Sequence, residues 1–90
     1  MTAQHRQLFR FAILRVLDEY NSQFGHSPET VAVFMGEHGF KRPDADVVWR
    51  ELHYLKDKGF VDLTPGRNIS PENKTWRITA AGRDELATNG

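Results

Sequence analysis

Residues 44–63 read DADVVWRELHYLKDKGFVDL, and this stretch decides the fold. Val48, Leu52 and Leu55 fall at i, i+4 and i+7, one apolar stripe of a helix. Trp49, Arg50, His53 and Lys56 point the other way, so the same helix carries a polar-aromatic outer face. Gly59 ends it, in the left-handed backbone conformation that a side chain disfavours. Phe60, Val61 and Leu63, with Asp62 between them, follow at once as a β-prone run. The spacing predicts a helix over residues 45–58 that turns straight into a strand.

Working outward, residues 5–20 (HRQLFRFAILRVLDEY) predict a first helix. Phe9, Ala12, Ile13, Val16, Leu17 and Tyr20 share one wide apolar face, and Leu8, Phe11 and Leu14 extend it. One reading makes this a central helix covered on two sides by the other helices. A second assigns Phe11 and Leu14 to a homodimer contact, since small domains bury surplus apolar surface by self-association. Ser27-Pro28-Glu29 is a helix start, with Ser as N-cap, Pro at the first position and an acid in the first turn. The second helix then spans residues 28–38, burying Val31, Phe34 and Met35 and breaking at Gly39. Asp44 or Asp46 caps the third.

Beyond the strand at 60–64, Pro65, Gly66 and Asn68 mark a turn, and Thr75-Trp76-Arg77-Ile78 alternates in the β manner. The two runs predict an antiparallel hairpin within residues 60–78. The sequons Asn68-Ile69-Ser70 and Asn73-Lys74-Thr75 read as chance. Thr79 caps a last helix over residues 80–87, with Ala80 and Leu86 facing the core and residues 87–90 fraying. The fold class expected is α+β, mainly α: a three-helix core, a two-stranded β wing and a short C-terminal helix, in one domain over residues 1–90.

Composition narrows the chemistry. Ninety residues are near the size at which a single core just suffices. There is no cysteine, which removes disulfides and thiolate metal sites. No apolar run approaches the roughly 20 residues that span a bilayer, and Arg15 interrupts any signal-like core. The expectation is a soluble, cytoplasmic protein with no membrane partner. Net charge is +0, which argues against indiscriminate phosphate binding. Residues 41–77 still hold eight Lys/Arg (Lys41, Arg42, Arg50, Lys56, Lys58, Arg67, Lys74, Arg77) against six acids (Asp44, Asp46, Glu51, Asp57, Asp62, Glu72).

Leu52, Leu55 and Lys58-Gly59-Phe60-Val61, followed by Trp76-Arg77-Ile78-Thr79-Ala80-Ala81-Gly82-Arg83, resemble the third helix, wing and closing "Leu-Thr, two residues, Gly-Arg" pattern of winged helix-turn-helix regulators. The likeness is to the MarR, PadR and ArsR kinds, and Ala12-Ile13-Leu14-Arg15-Val16-Leu17-Asp18 is similar to their first helix. The His5-Arg6 start and Ile13–Glu19 run narrow it to small ArsR-like proteins of Mu-like prophages. That resemblance implies a DNA-binding transcriptional regulator whose third helix enters the major groove while the wing touches backbone. It implies base contacts from Asp46, Trp49, Arg50 and His53, further contacts from Arg42 and Lys56, and wing phosphate contacts from Arg67, Lys74 and Arg77.

Each assignment has a plainer counterpart. Trp49 has one donor and a large apolar body, so packing against the second helix or a partner chain is the alternative. His53 either reaches phosphate or sits solvated, the wing cations either meet phosphate or form a solvated hairpin, and Asp44 and Asp46 are better read as caps. The four histidines (5, 26, 38 and 53) lack metal-ligand spacing, and no nucleophile–base pair or phosphate-cradling loop occurs. No enzyme activity, metal or cofactor is expected. The reading from a different class is a protein-interaction module gripping its partner through Trp49, Tyr54 and Phe40, because interface centres favour aromatic residues and Arg.

Overall fold

The computed structural model describes residues 2–21, 24–64 and 74–90. Helix α1 (Ala3–Glu19) starts where the Thr2 hydroxyl accepts the His5 N–H at 3.1 Å. Helix α2 (Pro28–Met35) starts at Ser27, whose Oγ accepts the Thr30 N–H at 3.2 Å, and it tightens into a 3₁₀ turn over Gly36–His38. Helix α3 (Ala45–Asp57) is capped by Asp44, not Asp46: the Asp44 carboxylate accepts the Asp46 N–H at 2.9 Å. Each cap satisfies a backbone donor that the helix itself leaves unpaired.

Gly59 closes α3 as the spacing requires. Its φ is +81°, and the Phe60 and Gly59 N–H groups return to the Leu55 and Lys56 carbonyls, both at 2.9 Å. This is the paired-bond ending that a left-handed glycine permits. Strand β1 (Val61–Leu63) then runs antiparallel to β2 (Trp76–Ile78), pairing Val61 with Ile78, Asp62 with Arg77 and Leu63 with Trp76. Both strands are shorter than the alternation suggested; the turn at 65–68 and the two sequons lie largely or wholly outside the described residues.

Helix α4 (Ala80–Asn89) is locked to this hairpin. Thr79 Oγ1 accepts the Gly82 N–H at 3.1 Å and donates to the Gly59 carbonyl at 2.6 Å, so one hydroxyl caps α4 and ties it to the end of α3. Gly82 is buried so closely against Phe60 that a Cβ there would stand 2.1 Å from the Phe60 carbonyl oxygen. The helix continues to Asn89 instead of fraying after residue 87. Leu86 packs on the core, whereas Ala80 is exposed, because the Thr79 cap turns the first residue outward.

The core gathers α1 (Phe9, Phe11, Ala12, Ile13, Leu14, Val16, Leu17), α2 (Val31, Ala32, Met35), α3 (Val48, Leu52, Leu55) and the strands (Val61, Trp76, Ile78). Helix α1 touches α2, α3, α4 and β2, so it is the central element. Phe11 and Leu14 are 7 % and 1 % exposed within the chain, which removes them as a homodimer contact. The flank they occupy also borders the groove beside α4, and only Leu8 of the three extra apolar residues stays exposed. The protein is mainly α with one small antiparallel sheet. Among the described residues no helix is long and apolar enough to cross a membrane.

One backbone pairing escaped the pattern. His26, which lies between the first two helices without any strand pattern, pairs with Trp76: the His26 N–H donates to the Trp76 carbonyl at 2.9 Å, and the Trp76 N–H to that of His26 at 2.8 Å. Strand β2 therefore lies between β1 and a one-residue third strand. Gly25 permits the approach, with φ +68° and no room for a Cβ against the Trp76 carbonyl.

Candidate nucleic-acid interface

Helix α3 has three sides, set by the 3.6-residue period. Val48, Leu52 and Leu55 fill the core. The second side, facing α1, is spent on contacts inside the chain. Arg10 Nε donates to Glu51 Oε2 at 2.6 Å, and Arg6 approaches the other carboxylate oxygen at 3.7 Å. The Arg10 guanidinium also lies 3.5 Å above the Tyr54 ring, with the Lys58 ammonium 5.7 Å from it. The third side presents Asp46, Trp49, Arg50 and Lys56 to solvent.

His53 is not simply solvated on the helix. It is half-buried, with its ring centre 4.1 Å from that of Trp49 at 64° and 5.2 Å from that of Trp76 at 79°. Its Nε2 is buried without a hydrogen-bond partner among the described residues. The ring is a wedge between helix and strand, not a solvated side chain. The cause is β2, which brings Trp76 under α3. Trp49 leans on this wedge and remains 40 % exposed.

The three aromatics assigned to a protein-binding surface do not act together. Phe40 packs edge-on against Phe9 at 5.5 Å and meets His5 at 5.7 Å, and Tyr54 lies beneath Arg10. Of the three, only Trp49 is linked to β2, through His53.

The cations separate by location. Arg6 and Arg10 reach Glu51, and Arg83 reaches Asp18 at 3.1 Å. Lys41, Arg42, Arg50, Lys56, Lys58, Lys74 and Arg77 form no ion pair among the described residues, nor does Arg15 of α1. All but Arg15 and Lys58, which ends α3 beside the Tyr54 ring, belong to the α2–α3 turn, the outer side of α3 and the hairpin. Arg42, Arg50, Lys56 and Arg77 are exposed and Lys74 is half-buried; Arg67 lies outside the described residues. Asp46 sits in the first turn of α3, where its charge complements the helix dipole.

The remaining polar clusters serve the loop between α1 and α2. The Tyr20 hydroxyl donates to Glu37 Oε2 at 2.6 Å, and His38 Nε2 stands 3.1 Å from Glu19 Oε2. His26 Nε2 donates to the Tyr20 carbonyl. The bond to Glu37 pushes the Tyr20 pKa up to about 12, since the phenolate would lose that bond and face a carboxylate. Such a group holds its proton instead of exchanging it near neutrality. A groove of about 300 Å³ runs along Arg10, Phe11, Tyr54, Lys58 and Glu85. No described residues assemble a metal-binding set of three or more His, Asp or Glu.

Two features could not be anticipated by local pattern: the Arg10–Glu51–Tyr54 cluster and the His53 wedge. The one available signal was the charge of Glu51 on a flank next to the apolar stripe, opposite two arginines one helical turn apart. Compared with protein-family models, curated proteins and solved structures, the chain gives no match.

Proposed function

We propose that the chain is a winged helix-turn-helix protein that binds duplex DNA, with α3 in the major groove and the β1–β2 hairpin as the wing, acting as a small transcriptional regulator of prophage type. One observation carries this reading. Among the described residues, Arg6, Arg10 and Arg83 pair with acids within the chain, while Lys41, Arg42, Arg50, Lys56, Lys74 and Arg77 of the α2–α3 turn, outer α3 and hairpin form no ion pair. Unpaired Lys and Arg on a helix flanked by a hairpin are free to neutralise phosphates and release counterions. The order α1, His26 bridge, α2, α3, β1, β2 supports the winged-helix assignment. The reading includes no enzymatic step, metal or cofactor.

The experiment is fluorescence anisotropy with a random-sequence duplex at about 50 and 200 mM salt. Contact with about four phosphates weakens binding about 10²-fold over that range. Absence of binding at low salt overturns the reading. A second reading, a protein-interaction module, is favoured by the net charge of +0 and the exposed indole of Trp49. It gains if a protein partner buries Trp49 while DNA does not bind.

A further inference from the structure

We infer that Trp49 and Arg50 form a two-residue reader for adjacent thymine and guanine, and that His53 is the positioning residue that holds Trp49 for it. The inference rests on the DNA-binding reading above and goes beyond it in naming the base chemistry and the support.

Trp49 is exposed on α3, yet its indole has one donor and an otherwise apolar surface. Base edges in the major groove offer hydrogen-bonding groups and a single apolar one, the 5-methyl of thymine. An apolar side chain on a groove-entering helix therefore has one matching feature to contact. Arg50 is the next residue, exposed and unpaired, and its fork fits guanine O6 and N7. Consecutive helix residues diverge in direction, so the two side chains address neighbouring base pairs and not the same one.

Three rings in series hold Trp49 in place. Trp76 is 0 % exposed and fixed on both sides, by its register opposite Leu63 and by two backbone hydrogen bonds to His26. His53 rests edge-on against Trp76 at 5.2 Å, and Trp49 rests on His53 at 4.1 Å. A large side chain supported this way loses less rotamer freedom on binding than an unsupported one. The His53 Nε2 is buried without a hydrogen-bond partner among the described residues, and the imidazole meets Trp49 and Trp76 through its ring. A phenyl ring at this position therefore does the same work.

The test uses the tightest duplex selected from a random pool, resynthesised with each thymine in turn replaced by uracil, which removes the methyl and keeps the pairing. Wild type loses about fourfold affinity at one such position, the worth of one buried methyl group. Trp49→Ala shows no thymine/uracil difference there but keeps its preference for the neighbouring guanine, whereas Arg50→Ala does the reverse. His53→Ala loses the thymine/uracil difference and His53→Phe retains it, with both variants first shown by circular dichroism to be folded. A duplex bound in a salt-dependent, sequence-selective way but indifferent to every uracil overturns this inference alone. So does a Trp49→Ala variant that still discriminates, or a His53→Phe variant that behaves like His53→Ala. Failure to bind any duplex overturns the DNA reading and this inference with it.

Discussion

Replacing Glu51 by Ala removes the carboxylate that fastens α3 to α1. Arg10 and Glu51 meet at 2.6 Å with side chains only 19 % and 13 % exposed, so water screens the pair poorly. A hydrogen bond to a charged group contributes about 1.5–3 kcal/mol, and breaking a fully buried pair costs about 3–5 kcal/mol. Here the guanidinium keeps some water and the Tyr54 ring 3.5 Å below it. Those two contacts offset part of the loss, and Glu51→Ala is expected to cost about 2 kcal/mol. At about 4–8 °C per kcal/mol for a domain of this size, Tm falls by about 10 °C. Arg6, half-exposed and 3.7 Å from the carboxylate, adds little, so Arg6→Ala stays within about 0.5 kcal/mol. The assay is urea unfolding followed by circular dichroism on Arg10→Ala, Glu51→Ala and the double variant. A coupling energy of about 1–2 kcal/mol is expected. Coupling within about 0.3 kcal/mol of zero would refute the argument that this pair sets the seat of α3.

Gly82→Ala is expected to destabilise by about 1–3 kcal/mol despite alanine's better helix propensity, because the new Cβ meets the Phe60 carbonyl oxygen at 2.1 Å. A variant that matches or exceeds wild type in urea would contradict the close approach of α4 to the hairpin. Thr79→Ala removes both the α4 cap and the bond to the Gly59 carbonyl, and a loss of about 1–2 kcal/mol in the same assay is the expected result. For Tyr20, the folded pKa of about 12 lies above the unfolded 10.0. Its contribution is complete below pH 10 and declines as the unfolded chain releases its proton first, until it is lost on passing pH 12. The stability difference between wild type and Tyr20→Phe should shrink over that window, and a difference independent of pH would contradict the assignment.

What could be read from residue order alone was local. The Val48–Leu52–Leu55 stripe, the Ser27 and Thr79 caps and the Gly59 stop depend on neighbours within a turn or two, and each appears where the spacing puts it. The misreadings that matter for the site concern partners distant in sequence. Of the two readings of Phe11 and Leu14, the covered central helix holds and the homodimer contact fails, because α4 packs on α1 although it carries few apolar residues to advertise the contact. His26 carries no strand signature, since a single paired residue has no alternation to detect. His53 looked solvated because its position depends on where Trp76 is delivered, 23 residues later, by the hairpin. The outer side of α3 was legible as a set of residues, but the division between wedge, apolar tip and free cation emerged only from the packing.

The most direct test of the central claim compares salt slopes of duplex binding for wild type, Lys56→Ala, Arg77→Ala and Arg15→Ala. Arg15 is the control, an exposed cation without an ion pair among the described residues, placed on α1 and not on the α2–α3 turn, α3 or the hairpin. Each cation that neutralises a phosphate contributes about 0.9 to the slope of log K against log salt. The account predicts that Lys56→Ala and Arg77→Ala each flatten the slope by about that amount and that Arg15→Ala leaves it unchanged. Equal flattening by Arg15→Ala, or none by the other two, would contradict it.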